Sequence, residues 1–123
     1  MDNLDVVYED NHLIVINKPA GTLVQGDKSG DEPLSDIVKR YIKVKYNKPG
    51  EVFLGTVHRL DRPTSGIVLF ARTSKALTRM NALFKSKNIQ KTYWAVVEKP
   101  TPKKSGLCID YLQKNEKQNK SYV

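Results

Sequence analysis

The sequence predicts one small α+β domain, and three observations support this class. Short runs of β-branched residues separated by polar turn residues are typical of strands. Two segments carry apolar residues at helical spacing, which is typical of helices packed through one face. The elements follow in the order β-β-α-β-β-α-β, which suggests an α+β arrangement. A length of 123 residues, of which 39% are hydrophobic, fits a single domain with a modest core.

The first two predicted strands form a β-hairpin. Residues 5–9 and 13–17 are the β-branched runs, and polar residues between them favour a turn. The segment Lys18-Pro19-Ala20-Gly21 ends the second strand, because proline cannot donate to a strand ladder and glycine permits a sharp bend. We interpret residues 25–32, which hold no apolar side chain, as a surface loop.

A first helix is predicted after this loop, because apolar residues recur there at spacings of three, four, seven and eight. The members of this stripe are Leu34, Ile37, Val38, Tyr41 and Ile42. Asp31 and Glu32 suit the positive end of the helix dipole, and Pro33 is tolerated in a first turn. For the basic residues of this helix we favour a solvated face over RNA contact: Lys39, Arg40, Lys43 and Lys45.

Two more extended segments are predicted around a corner. Residues 52–60 and 67–72 are extended, and residues 61–66 form the corner between them. A second helix over residues 74–87 follows, with Thr73 or Ser74 as its cap.

The remaining residues suggest one or two more strands. Alternation predicts a strand over residues 89–98, whose one face carries Ile89, Lys91, Tyr93, Ala95 and Val97. Residues 106–112 form a further candidate strand, and residues 114–121 are polar and basic.

Charge and composition limit the possible functions. Lys and Arg total 21 against 13 Asp and Glu, a net charge of +8 that attracts polyanions but equally suits a merely soluble basic protein. The single cysteine, Cys108, excludes an intrachain disulfide, and two histidines with one cysteine provide no metal site. The first ten residues hold no apolar signal core, and the longest apolar run, residues 67–71, is too short to span a bilayer. We therefore expect a soluble, cytoplasmic protein.

The chemically informative segment is His58-Arg59-Leu60-Asp61-Arg62-Pro63-Thr64-Ser65-Gly66. It holds one carboxylate between two guanidinium groups at a corner that proline stiffens. A carboxylate flanked by positive charge stays ionised, which suits a nucleophile or a base. On physical grounds alone, an ordinary surface turn with an Arg–Asp ion pair explains the pattern better.

This segment resembles the signature of the RluA-type pseudouridine synthases. Asn17-Lys18-Pro19-Ala20-Gly21 is similar to the Lys-Pro-x-Gly segment of that family, and the stretch from Gln90 to Val97 is similar to its Lys-x-Tyr strand. The resemblance extends from about residue 6 to residue 123. It implies a mixed, mainly antiparallel sheet with flanking helices, an RNA partner (ribosomal or transfer RNA), and neither metal nor organic cofactor.

The resemblance also assigns roles to single residues. Asp61 would be the catalytic carboxylate, either attacking C1′ of a flipped uridine or abstracting its C2′ proton; the sequence does not choose between these. The glycosidic bond then breaks, uracil rotates while bound, and C5 rejoins C1′. Arg59 would enter the RNA stack beside the displaced base, which offsets part of a flipping cost of about a few kcal/mol. Tyr93 would pack on the uracil, although a core-facing aromatic beside Trp94 is the alternative from its strand alone.

Other residues near the motifs have less specific roles. Arg62, Lys91 and Lys18 are candidates for RNA contacts, and the two lysines could instead support the site. We expect His58 to anchor the corner rather than to act as a general base.

The family pattern continues beyond residue 123, into a strand whose basic residue pairs with the catalytic carboxylate. We therefore expect residues 1–123 to form a partial catalytic domain, without the family's optional N-terminal S4-like RNA-binding domain. Such a chain would be weakly active or inactive and would tend to self-associate through unpaired strand edges. One alternative is a non-catalytic basic RNA-binding module. A more remote one, a hydrolase or phosphotransferase using His58 and Asp61, lacks the expected metal cluster or phosphate loop.

Overall fold

A computed structural model describes residues 3–123 of the chain. They form two compact units, residues 3–91 and residues 92–123. The first unit holds a four-stranded sheet and two helices, and the second holds a two-stranded hairpin. The predicted α+β class is confirmed, and every strand pair that the structure describes is antiparallel. Neither described helix is long and apolar enough to cross a membrane.

The sheet of the first unit has the strand order β1-β2-β4-β3. Its strands are β1 (Val6–Glu9), β2 (Leu13–Lys18), β3 (Gly55–Thr56) and β4 (Gly66–Ala71). The predicted hairpin of β1 and β2 is confirmed. The extended segment predicted over residues 52–60 is only partly correct, because just the two residues of β3 pair with β4.

The pairing of β2 with β4 positions the candidate site. It runs over the full length of both strands and places Lys18 opposite Gly66. The end of β2 and the beginning of β4 therefore lie side by side, and the loops that leave them are neighbours.

Both predicted helices are present, as α1 (Leu34–Lys45) and α2 (Ser74–Lys85). Pro33 is the N-cap of α1, so the acidic residues before it lie outside the helix, whose first turn contains Asp36 as its acidic residue. The predicted cap of α2 is confirmed, because the Thr73 hydroxyl accepts a hydrogen bond from the Ala76 backbone N–H at 3.1 Å.

The core of the first unit lies between α1 and the sheet. Its fully buried side chains come from alternate positions of β2 and β4, from the α1 stripe and from Val24 in the loop before α1. They are Ile14, Ile16, Val24, Leu34, Val38, Ile42, Val68 and Phe70. Alternation in the strands and the helical stripe thus meet in one core, as the sequence predicts.

The structure overturns the strand predictions for the end of the chain. Residues 89–98 form no strand, and Trp94 is 97% exposed. A strand needs a hydrogen-bonded neighbour, and the described residues provide none for this segment. Residues 106–112 form no strand either.

The hairpin of the second unit spans the segment that the sequence analysis describes as polar and basic. It consists of β5 (Gln113–Asn115) and β6 (Lys120–Tyr122). The Asn115 side-chain carbonyl accepts hydrogen bonds from the backbone N–H groups of Lys117 and Gln118, at 3.1 and 3.2 Å. Local turn chemistry, rather than apolar alternation, produces this hairpin.

Candidate active site

Asp61 lies at a turn that leads into β4. The Thr64 backbone N–H donates to the Asp61 carbonyl at 2.9 Å, which closes the turn around Arg62 and Pro63. Gly66 follows with a φ of +139°, a value that side chains disfavour, and begins β4. The chain therefore turns sharply between the candidate carboxylate and the central pair of strands.

Arg59 and Asp61 are both exposed, while Leu60 between them packs against the core. Within residues 3–123, no side chain forms an ion pair or a hydrogen bond with the Asp61 carboxylate. The Arg–Asp ion pair that an ordinary surface turn would contain does not form. The carboxylate oxygens therefore remain accessible to a ligand.

Lys18 is the largest fully buried side chain of the described residues, with 0% of its surface exposed. Its ammonium donates to the backbone carbonyls of Thr22 at 2.7 Å, Pro19 at 3.1 Å and Arg62 at 3.1 Å. Burial lowers the pKa of Lys18, and the negative charge of Asp61 partly opposes that shift. Of the two roles considered from the sequence, the structure favours support of the site, because all three donors are used inside the protein.

Arg62 connects the same corner to the loop that follows β2. Its Nε–H donates to the Gly21 carbonyl at 3.0 Å, and its terminal nitrogen pairs with Asp31 at 2.5 Å. Its own carbonyl accepts from the Gly21 backbone N–H at 2.7 Å and from Lys18. The guanidinium predicted to contact RNA is therefore held by a carboxylate of the protein.

His58 has the anchoring contacts that the sequence analysis expects. The Leu69 backbone N–H donates to its Nε2 at 3.0 Å, and its ring stacks on Phe84 with centroids 5.0 Å apart. Burial, with a smaller contribution from the positive charge of Lys91, lowers the pKa of His58. An imidazole whose Nε2 accepts from β4 carries its proton on Nδ1, a buried atom with no described partner.

The other two candidates, Lys91 and Tyr93, lie on either side of the boundary between the two units. Lys91 ends the first unit, with its ammonium 5.5 Å from the centroid of the Phe84 ring. Tyr93 belongs to the second unit and is 61% exposed, so it is not the core-facing strand aromatic of the alternative interpretation. The first unit thus brings together Lys18, Arg59, Asp61 and Arg62.

The sequence analysis did not identify the residues that hold the turn at Asp61 in place. Asp31 was assigned to the helix dipole, but it pairs with Arg62, which is 31 positions away. Gly21 and Thr22 contribute backbone atoms, which leave no side-chain signal. The available hint was the Lys-Pro-x-Gly segment itself, which marks the loop without revealing its partner.

The basic residues of α1 and the acidic groups elsewhere suggest no further site. Three of the four predicted basic positions contact the protein: Arg40 pairs with Glu32, Lys43 donates to the Gly50 carbonyl, and Lys45 pairs with Glu9. Across the described part of the chain, no group of three or more His, Cys, Asp and Glu residues has the proximity needed to hold a metal ion.

Comparison with known proteins identifies the class. The model of the RNA pseudouridylate synthase family matches residues 12–123, which is most of the chain. The chain therefore belongs to the RNA pseudouridylate synthase family.

Individual relatives agree with this assignment. The chain is 40% identical over 92 residues to the ribosomal large subunit pseudouridine synthase C of Vibrio cholerae, which covers 75% of the chain and 27% of that protein. It is 38% identical over 113 residues to the tRNA pseudouridine synthase C of Yersinia pestis, which covers 92% of the chain and 41% of that protein. The chain thus spans about a quarter to two fifths of these relatives.

A solved structure shares the fold. Human RNA pseudouridylate synthase domain containing 4 matches with a TM-score of 0.58 and 27% sequence identity, over 68% of this chain and 30% of the human one.

Proposed function

We propose that this protein isomerises uridine to pseudouridine in RNA and that Asp61 is its catalytic carboxylate. One observation carries the proposal: an exposed carboxylate that has no hydrogen-bond or ion-pair partner among residues 3–123 lies at a turn whose Arg62 carbonyl is held by a buried lysine. Family membership supplies the reaction class. The free carboxylate supplies the reactive group, which is available either to attack C1′ or to remove the C2′ proton.

The surroundings of Asp61 suit this chemistry. A catalytic group acts best when its position is set before the substrate arrives, because ordering it during the reaction would raise the barrier. The Lys18 ammonium fixes the carbonyl of the residue after Asp61, and the Thr64 N–H fixes the carbonyl of Asp61 itself. Both contacts hold the backbone and leave the side chain free.

RNA recognition requires positive and aromatic side chains, and the chain exposes both. Arg59 lies two residues from Asp61 and is exposed, which allows it to enter an RNA stack. Tyr93 is exposed, and base stacking on an aromatic ring contributes about 1–3 kcal/mol. The named relatives act on large-subunit ribosomal RNA or on tRNA, and we propose one of these, in the cytoplasm, as the substrate.

We also propose that residues 1–123 are the N-terminal part of one catalytic domain and are weakly active or inactive by themselves. The absence of an ion-pair partner for Asp61 among residues 3–123 supports this, because the family's carboxylate pairs with a basic residue from a later strand. Adding the missing part should therefore raise turnover without changing the target uridine.

The test is tritium release from RNA labelled at uridine C5, since the isomerisation must expel that hydrogen. In a protein that contains the complete catalytic domain (the intact protein), Asp61→Asn should abolish release and leave RNA affinity nearly unchanged, because the basic side chains provide most of the attraction. Asp36→Asn removes an exposed carboxylate from the first turn of α1 and serves as the matched control. Normal release by the Asp61 variant would refute the assignment.

A non-catalytic RNA-binding module is the second candidate. The net charge of +8 favours it, because an excess of positive charge attracts RNA whether or not a carboxylate reacts. Tight RNA binding by the intact protein without any tritium release, on ribosomal and transfer RNA alike, would establish this alternative.

A further inference from the structure

We propose that Arg62 is a positioning residue that locks the loop of residues 19–33 onto the Asp61 corner, and that Asp31 is its obligatory partner. This inference assigns a function to two residues of the site without requiring either to touch RNA. It rests on the proposed function only in the part of the experiment that measures turnover.

Arg62 contacts its neighbours through both its guanidinium and its backbone carbonyl. On the side-chain face, the guanidinium bridges the Gly21 carbonyl and the Asp31 carboxylate. On the backbone face, the Arg62 carbonyl accepts from the Gly21 N–H and the Lys18 ammonium. Arg62, the residue directly after the candidate catalytic carboxylate, therefore makes three contacts with the loop that follows β2 and one with Lys18, the last residue of β2.

The conformation of the loop of residues 19–33 allows these contacts with Arg62. Gly21 has a φ of +92°, which glycine adopts at little cost, and its carbonyl and N–H both meet Arg62. At the far end, Leu34 and Ser35 donate their backbone N–H groups to the carbonyls of Leu23 and Val24. Val24 is buried in the core, so the ends of the loop are fixed and Asp31 fastens its exposed part.

The geometry explains why an arginine is required. A guanidinium presents donors in a rigid planar fork, so it can hold a carbonyl and a carboxylate at once. Lysine would keep the charge but offers a point donor on a flexible stem. A residue used only for phosphate attraction would tolerate that exchange better than a residue that spans two fixed acceptors.

A neighbouring ion pair provides the matched control. Arg40 pairs with Glu32, the residue next to Asp31, and both pairs are about half exposed. Arg40 belongs to α1, and its described ion pair is with Glu32, two residues before that helix begins. Changing this second pair tests whether any lost ion pair on the loop is sufficient to disturb the site.

The first arm of the experiment measures structure in the 123-residue chain and needs no activity. Amide hydrogen exchange of Gly21 reports its bond to the Arg62 carbonyl. Arg62→Asp should accelerate this exchange about tenfold or more, because local opening becomes easier. The double variant Arg62→Asp with Asp31→Arg restores the ion pair with reversed charges but not the bond to the Gly21 carbonyl, so it should recover part of the protection. Equal exchange in the wild type and Arg62→Asp would overturn the proposal.

The second arm measures turnover and RNA affinity in the intact protein. Arg62→Asp should reduce kcat about tenfold to a hundredfold through misplacement of Asp61. Arg62→Lys should give an intermediate value, and the charge-reversed pair should recover part of kcat, because its carboxylate cannot donate to the Gly21 carbonyl. The slope of log affinity against log salt should stay unchanged in Arg62→Lys and in the charge-reversed pair. Reversal of the Arg40–Glu32 pair should leave kcat and Gly21 exchange unchanged.

A phosphate contact predicts the opposite pattern. Then Asp31→Arg would not rescue Arg62→Asp, and loss of Arg62 would reduce the salt slope by about one. That result would overturn the proposal. If no protein in the series releases tritium, including the wild type, the proposed function fails, while the exchange of Gly21 still decides whether the lock exists.

Discussion

Replacement of Lys18 by methionine tests whether the hydrogen bonds of its ammonium stabilise the corner at Asp61. Methionine has a similar length and no donor, so the exchange removes three hydrogen bonds without opening a large cavity. The Arg62 carbonyl keeps its bond from the Gly21 N–H, whereas the carbonyls of Pro19 and Thr22 lose the partner described for them. Thr22 is half-buried, and leaving its carbonyl unpaired costs about 1–3 kcal/mol, whereas Pro19 is exposed and water can replace its lost donor.

Relief of the buried charge opposes this loss. Burying an ammonium carries a desolvation penalty, and replacing a buried ion by an apolar side chain can even stabilise a protein. We therefore expect a net destabilisation of about 1–2 kcal/mol. For a domain of this size that corresponds to a fall in Tm of about 4–12 °C.

Urea unfolding followed by far-ultraviolet circular dichroism measures the effect. Helix signal is the right probe, because α1 and α2 both lie in the first unit, whereas Trp94 belongs to the second and is 97% exposed. Lys28→Met, at an exposed position of the same loop, controls for the loss of one positive charge. If Lys18→Met were as stable as Lys28→Met, the ammonium would not be satisfying the carbonyls of this corner, and the reasoning would fail.

Two further predictions concern acid stability and self-association. Burial tends to raise the pKa of Glu9, but hydrogen bonds from Lys45 and two tyrosine hydroxyls outweigh it and lower the pKa below its ordinary 4.5. The wild type should therefore be more stable than Glu9→Gln by its full margin above about pH 5, and this margin should vanish as the pH falls through the lowered pKa. Urea titrations at several pH values measure the margin. A margin that persisted at pH 2 would contradict this cause. Trp94 and Val96 are almost fully exposed, so sedimentation should show self-association of the 123-residue chain that Val96→Asp reduces and Ser105→Asp does not; a monomer at every concentration would refute it.

The sequence predicts those parts of the fold that depend on local patterns. The β1–β2 hairpin, the α1 stripe and the Thr73 cap follow from turn residues, helical periodicity and a hydroxyl at a helix start. Each involves residues close together in the chain, where backbone geometry leaves few alternatives.

Contacts between distant residues escaped prediction. Alternation over residues 89–98 describes a strand only if a neighbour is available, and a pattern carries no information about that neighbour. The pairing of Arg62 with Asp31 depends on the β2–β4 register, which places two loops side by side. The sequence analysis left Lys18 between an RNA contact and support of the site, and its full burial is a tertiary effect that no local pattern reveals.

Correct assembly of the site depends on the correct register of β2 against β4. Lys18 is the last residue of β2, and its cross-strand neighbour is the first residue of β4. A slip by a single position would turn Lys18 to the opposite face of the sheet and draw its ammonium away from the corner. Insertion or deletion of one residue in either strand should therefore disrupt the hydrophobic core and the geometry of the proposed catalytic carboxylate together, so that misaligned molecules are non-functional rather than aberrantly active.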